Sequence, residues 1–146
     1  MIKANKDLYN LKAKDKFIKE KDSLIQMREE VKEWIKQAGK DLRTAKHSLK
    51  DKDYYASSFW CQQSIEKGFK ALSIKNTESF PKIHDLKQLA ELNNAPEEIV
   101  ELSTKINPAY IAARYPDVAA KYNKKNTEEI LKYSNLVLKW IKKNLS

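Results

Sequence analysis

Only two glycines occur in 146 residues. Loops that cradle phosphate groups are built from several glycines, so Walker-type and dinucleotide-binding loops are excluded. Prolines are also few, at four. With so little turn chemistry and so much Lys, Glu, Leu and Ala, the chain points to an all-α fold. The single cysteine, Cys61, has no internal partner for a disulfide, which suits a cytoplasmic setting. Two histidines, His47 and His84, and that one cysteine make no cluster with zinc spacing, so no metal or cofactor is expected. They also support no Ser-His-Asp set. No apolar run approaches the ~18 residues of a membrane helix, and the N-terminus has no apolar signal core. Neither a membrane partner nor export is expected.

What the chain does have is positive charge. Its net charge is +9, with hydrophobic residues at 41% and charged residues at 34%, a balance that folds as a globular domain rather than staying disordered. Residues 76–107 hold three lysines against six acids, for −3, so the remainder sums to +12. A basic body favours polyanions such as RNA, DNA, nucleotides or an acidic protein. The lysines read as scattered around the helices, so a plain solvated surface stands beside that reading.

The length fits one core. Residues 1–22 are Lys-rich with weak apolar periodicity and read as a basic, partly helical arm, with the bundle occupying 23–146. A helix is expected from Ser23 to Lys50, with Met27, Val31, Trp34, Ile35, Ala38, Leu42, Ala45 and Leu49 on its core stripe. Gly39 lies mid-helix, and its pairing with Gly68 of the second helix at one close crossing is an expectation. Asp53 is the expected N-cap of a second helix running to about Lys75 and packed antiparallel on the first. A loop broken by Pro81 precedes a short helix over Asp85–Leu92. Asn94-Ala-Pro-Glu97 reads as a capping box. The stretch from Asn107 to Lys125 is irregular, and Asn126-Thr-Glu-Glu129 reads as a second capping box opening the last helix. The sum is an up-down four-helix bundle with an additional short helix.

Gln62, Glu66 and Lys70 follow each other at i, i+4 and i+8 along the border of the apolar face of the second helix. An amide, a carboxylate and an ammonium in that position fit a buried polar network, a subunit seam or the wall of a ligand site. Asp41, on the edge of the first helix, is placed to face that row and to hold Arg114 or Lys70. Arg114-Tyr-Pro-Asp117 is chemically loaded: Arg114 offers a planar fork for phosphate, and Tyr115 a ring for stacking. Equally, Arg114 fits an ion pair with Asp117 or Glu66 that pins the loop. Arg43 and His47 read as an exposed surface pair. His84 reads as part of a helix cap or local hydrogen bond.

These residues resemble the HEPN domain family over roughly Met27 to Ile141. The resemblance rests on Ala38-Gly-Lys-Asp-Leu-Arg-Thr-Ala45, on Tyr54-Tyr-Ala-Ser-Ser-Phe, on Gln62-Gln-Ser-Ile-Glu-Lys with Lys70-Ala-Leu, on His84-Asp-Leu-Lys-Gln-Leu, and on Tyr110-Ile-Ala-Ala-Arg-Tyr-Pro-Asp117. It implies a homodimer formed through central helices. It also implies a nucleotidyltransferase as protein partner, in toxin–antitoxin pairs or as a substrate-binding subunit, and a nucleotide or RNA as ligand. Many members are metal-independent ribonucleases that use an Arg and a His with four to six residues between them, where Arg43 and His47 have three. Here no histidine follows Arg114, and Arg43 and His47 are too close together and on another helix. The implied function is therefore a non-catalytic HEPN protein that binds a nucleotide or a nucleotidyltransferase. Its implied ligand site is Arg114, Tyr115, Asp117, Gln62, Glu66, Lys70 and Asp41. The alternatives are a ribonuclease with a divergent site that uses His84, and a structural dimeric scaffold.

Overall fold

The computed structural model describes the backbone of residues 2–146 and the side chains of residues 4–146. All of its regular elements are helical. They are α1 (Ile2–Lys50), α2 (Tyr54–Thr77), α3 (Leu86–Leu92), α4 (Glu97–Ile106), a 3-10 helix (Asn107–Ile111), α5 (Pro116–Ala119) and α6 (Lys124–Leu145).

The first helix has no break at Ser23. Residues 2–38 contain neither glycine nor proline, so nothing in the backbone stops it. Residues 4–26 are exposed along their whole length, and burial begins at Met27. The arm is therefore a direct continuation of the bundle's own helix, fully helical from Ile2.

Small residues set the antiparallel pairing of α1 with α2. Ser57 Oγ donates to the Ala45 carbonyl and Ser64 Oγ to the Ala38 carbonyl, each at 2.7 Å. Alanine lets the backbones approach closely enough for a serine to reach across. Gly68 performs a different task from the one expected. A Cβ there would lie 3.0 Å from Ile141 Cδ1 and 3.2 Å from Leu138 Cδ1, so it sits where α2 crosses α6. A Cβ on Gly39 would meet nothing within 4 Å. The two glycines do not share a crossing.

α2 is the central element and packs on α1, α6, α3 and the 3-10 helix. Its Ile65, Phe69 and Leu72 join Leu86, Leu89, Ile106, Val137 and Ile141 in one core.

The helix starts differ in detail from expectation. Asp53 precedes α2 without a side-chain cap bond. Asn94 takes a positive φ of 54° in a turn, and Pro96 is the residue preceding α4. The second capping box forms one turn early, between Asn123 and Asn126, each side chain accepting from the other's backbone N–H. Asp85 caps α3 by accepting from the Gln88 N–H.

That last cap, with two further bonds, pins the loop that carries His84. The Gln62 Nε2 amide donates to the His84 carbonyl at 3.1 Å. The Leu86 N–H donates to Asn107 Oδ1 at 2.9 Å. The loop is thus held between α2 and the 3-10 helix.

Candidate functional site

The polar row on α2 is buried and its charges are partnered. Gln62 is fully enclosed, and Glu66 and Lys70 are nearly so. Isolated charges at such depth are costly, so they occur paired and hydrogen-bonded. Glu66 uses both oxygens. Oε2 accepts from Lys70 Nζ at 3.4 Å, and Oε1 lies 2.6 Å from His84 Nδ1. Lys70 Nζ also sits over the rings of Trp34, at 5.6 Å, and Phe80, at 5.5 Å. Those two rings meet edge to face. A desolvated ammonium over aromatic faces is held by their quadrupoles as well as by its counter-ion.

Asp41 holds neither Arg114 nor Lys70. It accepts from Lys67 Nζ at 2.6 Å and from Gln37 Nε2 at 3.1 Å, Lys67 being the residue that follows Glu66 on α2.

His84 is the residue that carries the buried row to the surface. Its side chain is 52% exposed, whereas that of Glu66 is 5% exposed. A carboxylate only accepts, so the ring proton belongs on Nδ1, and Nε2 has no partner among the described residues. The imidazole stacks on Tyr110 with ring centres 4.9 Å apart and planes 18° apart. The Arg114 guanidinium lies over the same tyrosine ring at 4.9 Å. Arg114 makes no ion pair with Asp117 or Glu66, and none with any other carboxylate among the described residues. Arg114 is thereby joined to the α2 row through two stacked rings.

Two clefts flank this stack. One of about 660 Å3 is bordered by His84, Asn107, Tyr110, Lys121, Tyr122 and Asn126. Burial pushes the Tyr122 phenol above its usual pKa, so it stays a neutral hydrogen-bond donor. The other, of about 460 Å3, contains Arg114 and Tyr115 together with Tyr55 and Pro116. Tyr115, Arg114 and Asp117 are all exposed, and Asp117 stands in the first turn of α5. Gln62, Glu66, Lys70 and Asp41 border neither cleft.

Reading the sequence missed the parts played by Tyr110, Lys121 and Tyr122, and left His84 between a cap or local hydrogen bond and the alternative ribonuclease site. Only His84 gave a signal, as a polar residue just before a helix cap. Its partner Glu66 lies 18 residues back on another element, which no local pattern announces. Arg43 and His47 are both exposed, as expected of a surface pair.

No described helix is long and apolar enough to cross a membrane. Among curated proteins none matches the chain. The HEPN domain family model matches residues 31–145. Among solved structures, TT1696 from Thermus thermophilus superposes with a TM-score of 0.72 at 29% identity, covering 78% of this chain and 97% of that one. ST0689, an archaeal HEPN homologue, gives 0.68 at 29% identity, covering 80% and 98%. An HEPN domain protein from Thermotoga maritima shares the fold at a TM-score of 0.63 and 22% identity, covering 77% and 97%. The match over residues 31–145 spans most of the chain and contains every residue of the Glu66–His84–Tyr110–Arg114 relay, so the chain belongs to the HEPN domain family.

Proposed function

We propose that this HEPN protein is a non-catalytic nucleotide-binding subunit whose ligand sits beside the His84–Tyr110–Arg114 stack. One observation carries the reading: an arginine with no carboxylate partner among the described residues, stacked on a ring that borders a cleft of about 660 Å3. Arg114 and Lys121 supply the positive charge for phosphate, and a guanidinium fork without an internal competitor is free to accept one. Tyr122 offers a ring face to a base, and Tyr115 adds a second exposed ring beside Arg114. Gln62, Glu66 and Lys70 hold the stack from beneath rather than border the cleft. A second copy of the chain and a nucleotidyltransferase, in a toxin–antitoxin arrangement, are the protein partners that the resemblance adds to this reading.

Thermal melts with ATP, AMP and GTP test it. A ligand at a hundredfold over its dissociation constant adds about 2.7 kcal/mol, several degrees for a domain of this size. The expected result is a shift with at least one mononucleotide that disappears in Arg114→Ala. Equal shifts in both proteins would sink the assignment.

One observation favours a second reading, ribonuclease chemistry. A buried carboxylate 2.6 Å from His84 Nδ1 fixes the tautomer that leaves Nε2 basic on a half-exposed ring. That arrangement suits a general base for a ribose 2′-hydroxyl, with Arg114 one ring away to meet phosphate charge. It requires RNA cleavage in chelator by the pure protein, lost in His84→Ala. Absence of cleavage removes it.

A further inference from the structure

The charge of this protein is concentrated in two helical segments. Residues 34–50 of α1 and residues 130–146, most of α6, contain nine basic residues and one acidic residue. That is +8 of the chain's +9, and everything else sums to +1. The one acid, Asp41, is turned inward onto Lys67. The lysines that look dispersed on each helix taken singly therefore share a face once α1 and α6 are side by side.

Between those helices runs a groove of about 810 Å3. α1 contributes Lys36, Lys40, Arg43 and Lys46, and α6 contributes Lys139 and Lys142. No carboxylate borders it, and none of the six cations forms an ion pair among the described residues. Gly39 lies among them with nothing within 4 Å of where its Cβ would be. A glycine inside a helix costs roughly 1 kcal/mol relative to alanine. No close packing explains this one, and its lack of a side chain keeps the middle of the groove open.

We infer that this groove binds the phosphate backbone of a double-stranded nucleic acid. Six unpaired cations around one concavity demand a polyanion. The apolar residues that border it are aliphatic: Ile35, Leu42 and Leu138. Sites for single strands combine basic charge with aromatic rings that stack the bases, and no ring borders this groove. The ligand is therefore one whose bases are already stacked on each other and whose phosphates face outward. From Lys36 to Lys46 the helix rises about 15 Å. Phosphates follow each other at about 3.4 Å of rise along one duplex strand, so this row spans about four of them. Recognition is by charge and spacing, independent of sequence. This inference does not rest on the nucleotide cleft, which is formed by other residues.

The test is fluorescence polarisation with a labelled RNA duplex of about 20 bp, the matching DNA duplex and one RNA strand alone, from about 50 to 200 mM salt. The wild-type chain is expected to bind a duplex more tightly than the single strand. Its log–log salt slope should be steep, about −5 for six phosphates of a duplex. Whether RNA or DNA binds more tightly identifies the source of the duplex, and either preference supports the inference. The doubly substituted Lys40→Gln, Arg43→Gln protein should lose roughly tenfold in affinity or more and flatten the slope by about 2. Lys40→Arg with Arg43→Lys should restore both. Lys12→Gln with Lys19→Gln on the arm removes the same charge elsewhere and should change neither. All of the substituted positions are exposed, so the variants should keep the wild-type melt. Three results overturn the inference: no duplex binding at about 50 mM salt, tighter binding of the single strand, or an arm variant that loses as much as the groove variant.

Discussion

Lys70 and Lys40 are the same side chain on two well-formed helices, in opposite circumstances. Lys70 is nearly buried, bonded to Glu66 and covered by Trp34 and Phe80. Lys40 is exposed in a groove with five other cations and no counter-ion. In the first region each charge answers another charge inside the fold, so it contributes to which structure forms. In the second the charges repel one another and contribute nothing to folding, so a reason for them must come from outside the molecule. The difference separates lysines that belong to the architecture from lysines available to a ligand.

The largest effect comes from breaking the paired region. Glu66→Ala leaves the Lys70 ammonium buried without its counter-ion and His84 without its anchor. A loss of about 3–5 kcal/mol is expected in denaturant unfolding. The exchange Lys40→Gln in the groove should stay within about 0.5 kcal/mol of wild type. If the two substitutions cost the same, the contrast is void.

The glycines sharpen the same contrast between closed and open ground. Gly68→Val must push against Ile141 and Leu138, and overpacking of this kind costs about 1–3 kcal/mol. Gly39→Ala meets no obstacle and should stabilise by up to about 1 kcal/mol. Melting curves of both variants decide it, and a destabilised Gly39→Ala would show that the groove is closed in solution.

Cys61 probes the core through pH. Burial pushes its thiol up from 9.0 to about 12, against the smaller opposing pulls of the Ser134 hydrogen bond and Lys46. The unfolded chain therefore ionises first. The stability tied to this group is intact below pH 9 and is lost as pH rises from there toward 12. Compared with Cys61→Ala, wild type should lose about 1.4 kcal/mol per pH unit in that window. Parallel pH profiles for the two proteins would contradict it.

The smallest effect belongs to the exposed pair Lys87–Glu91, at 3.9 Å on the surface of α3. Lys87→Ala should change stability by less than about 0.5 kcal/mol. A larger loss would show that surface pairs matter here as much as the buried ones.

The core was legible in the sequence because periodicity reports it. Ala38, Leu42 and Ala45 on α1 were placed by spacing alone, and all are buried. The long α1 was legible only in its second half. Residues 4–26 bury nothing, so no apolar stripe marks them, although their composition sustains a helix. The relay was legible in half. Glu66 and Lys70 lie four residues apart on one helix, whereas Glu66–His84 and Asp41–Lys67 join separate elements 18 and 26 residues apart. The groove was hidden for the same reason, since a face shared by α1 and α6 cannot be seen on either helix alone.

The unbroken first helix has a hydrodynamic consequence. Its 49 residues make a rod about 73 Å long, whereas a compact unit of 100 residues has a radius of gyration near 13 Å. The molecule should tumble anisotropically and travel through a sizing column as a particle heavier than its 17.0 kDa. An early elution peak would then report shape as much as subunit number, so only light scattering or sedimentation equilibrium can count the chains.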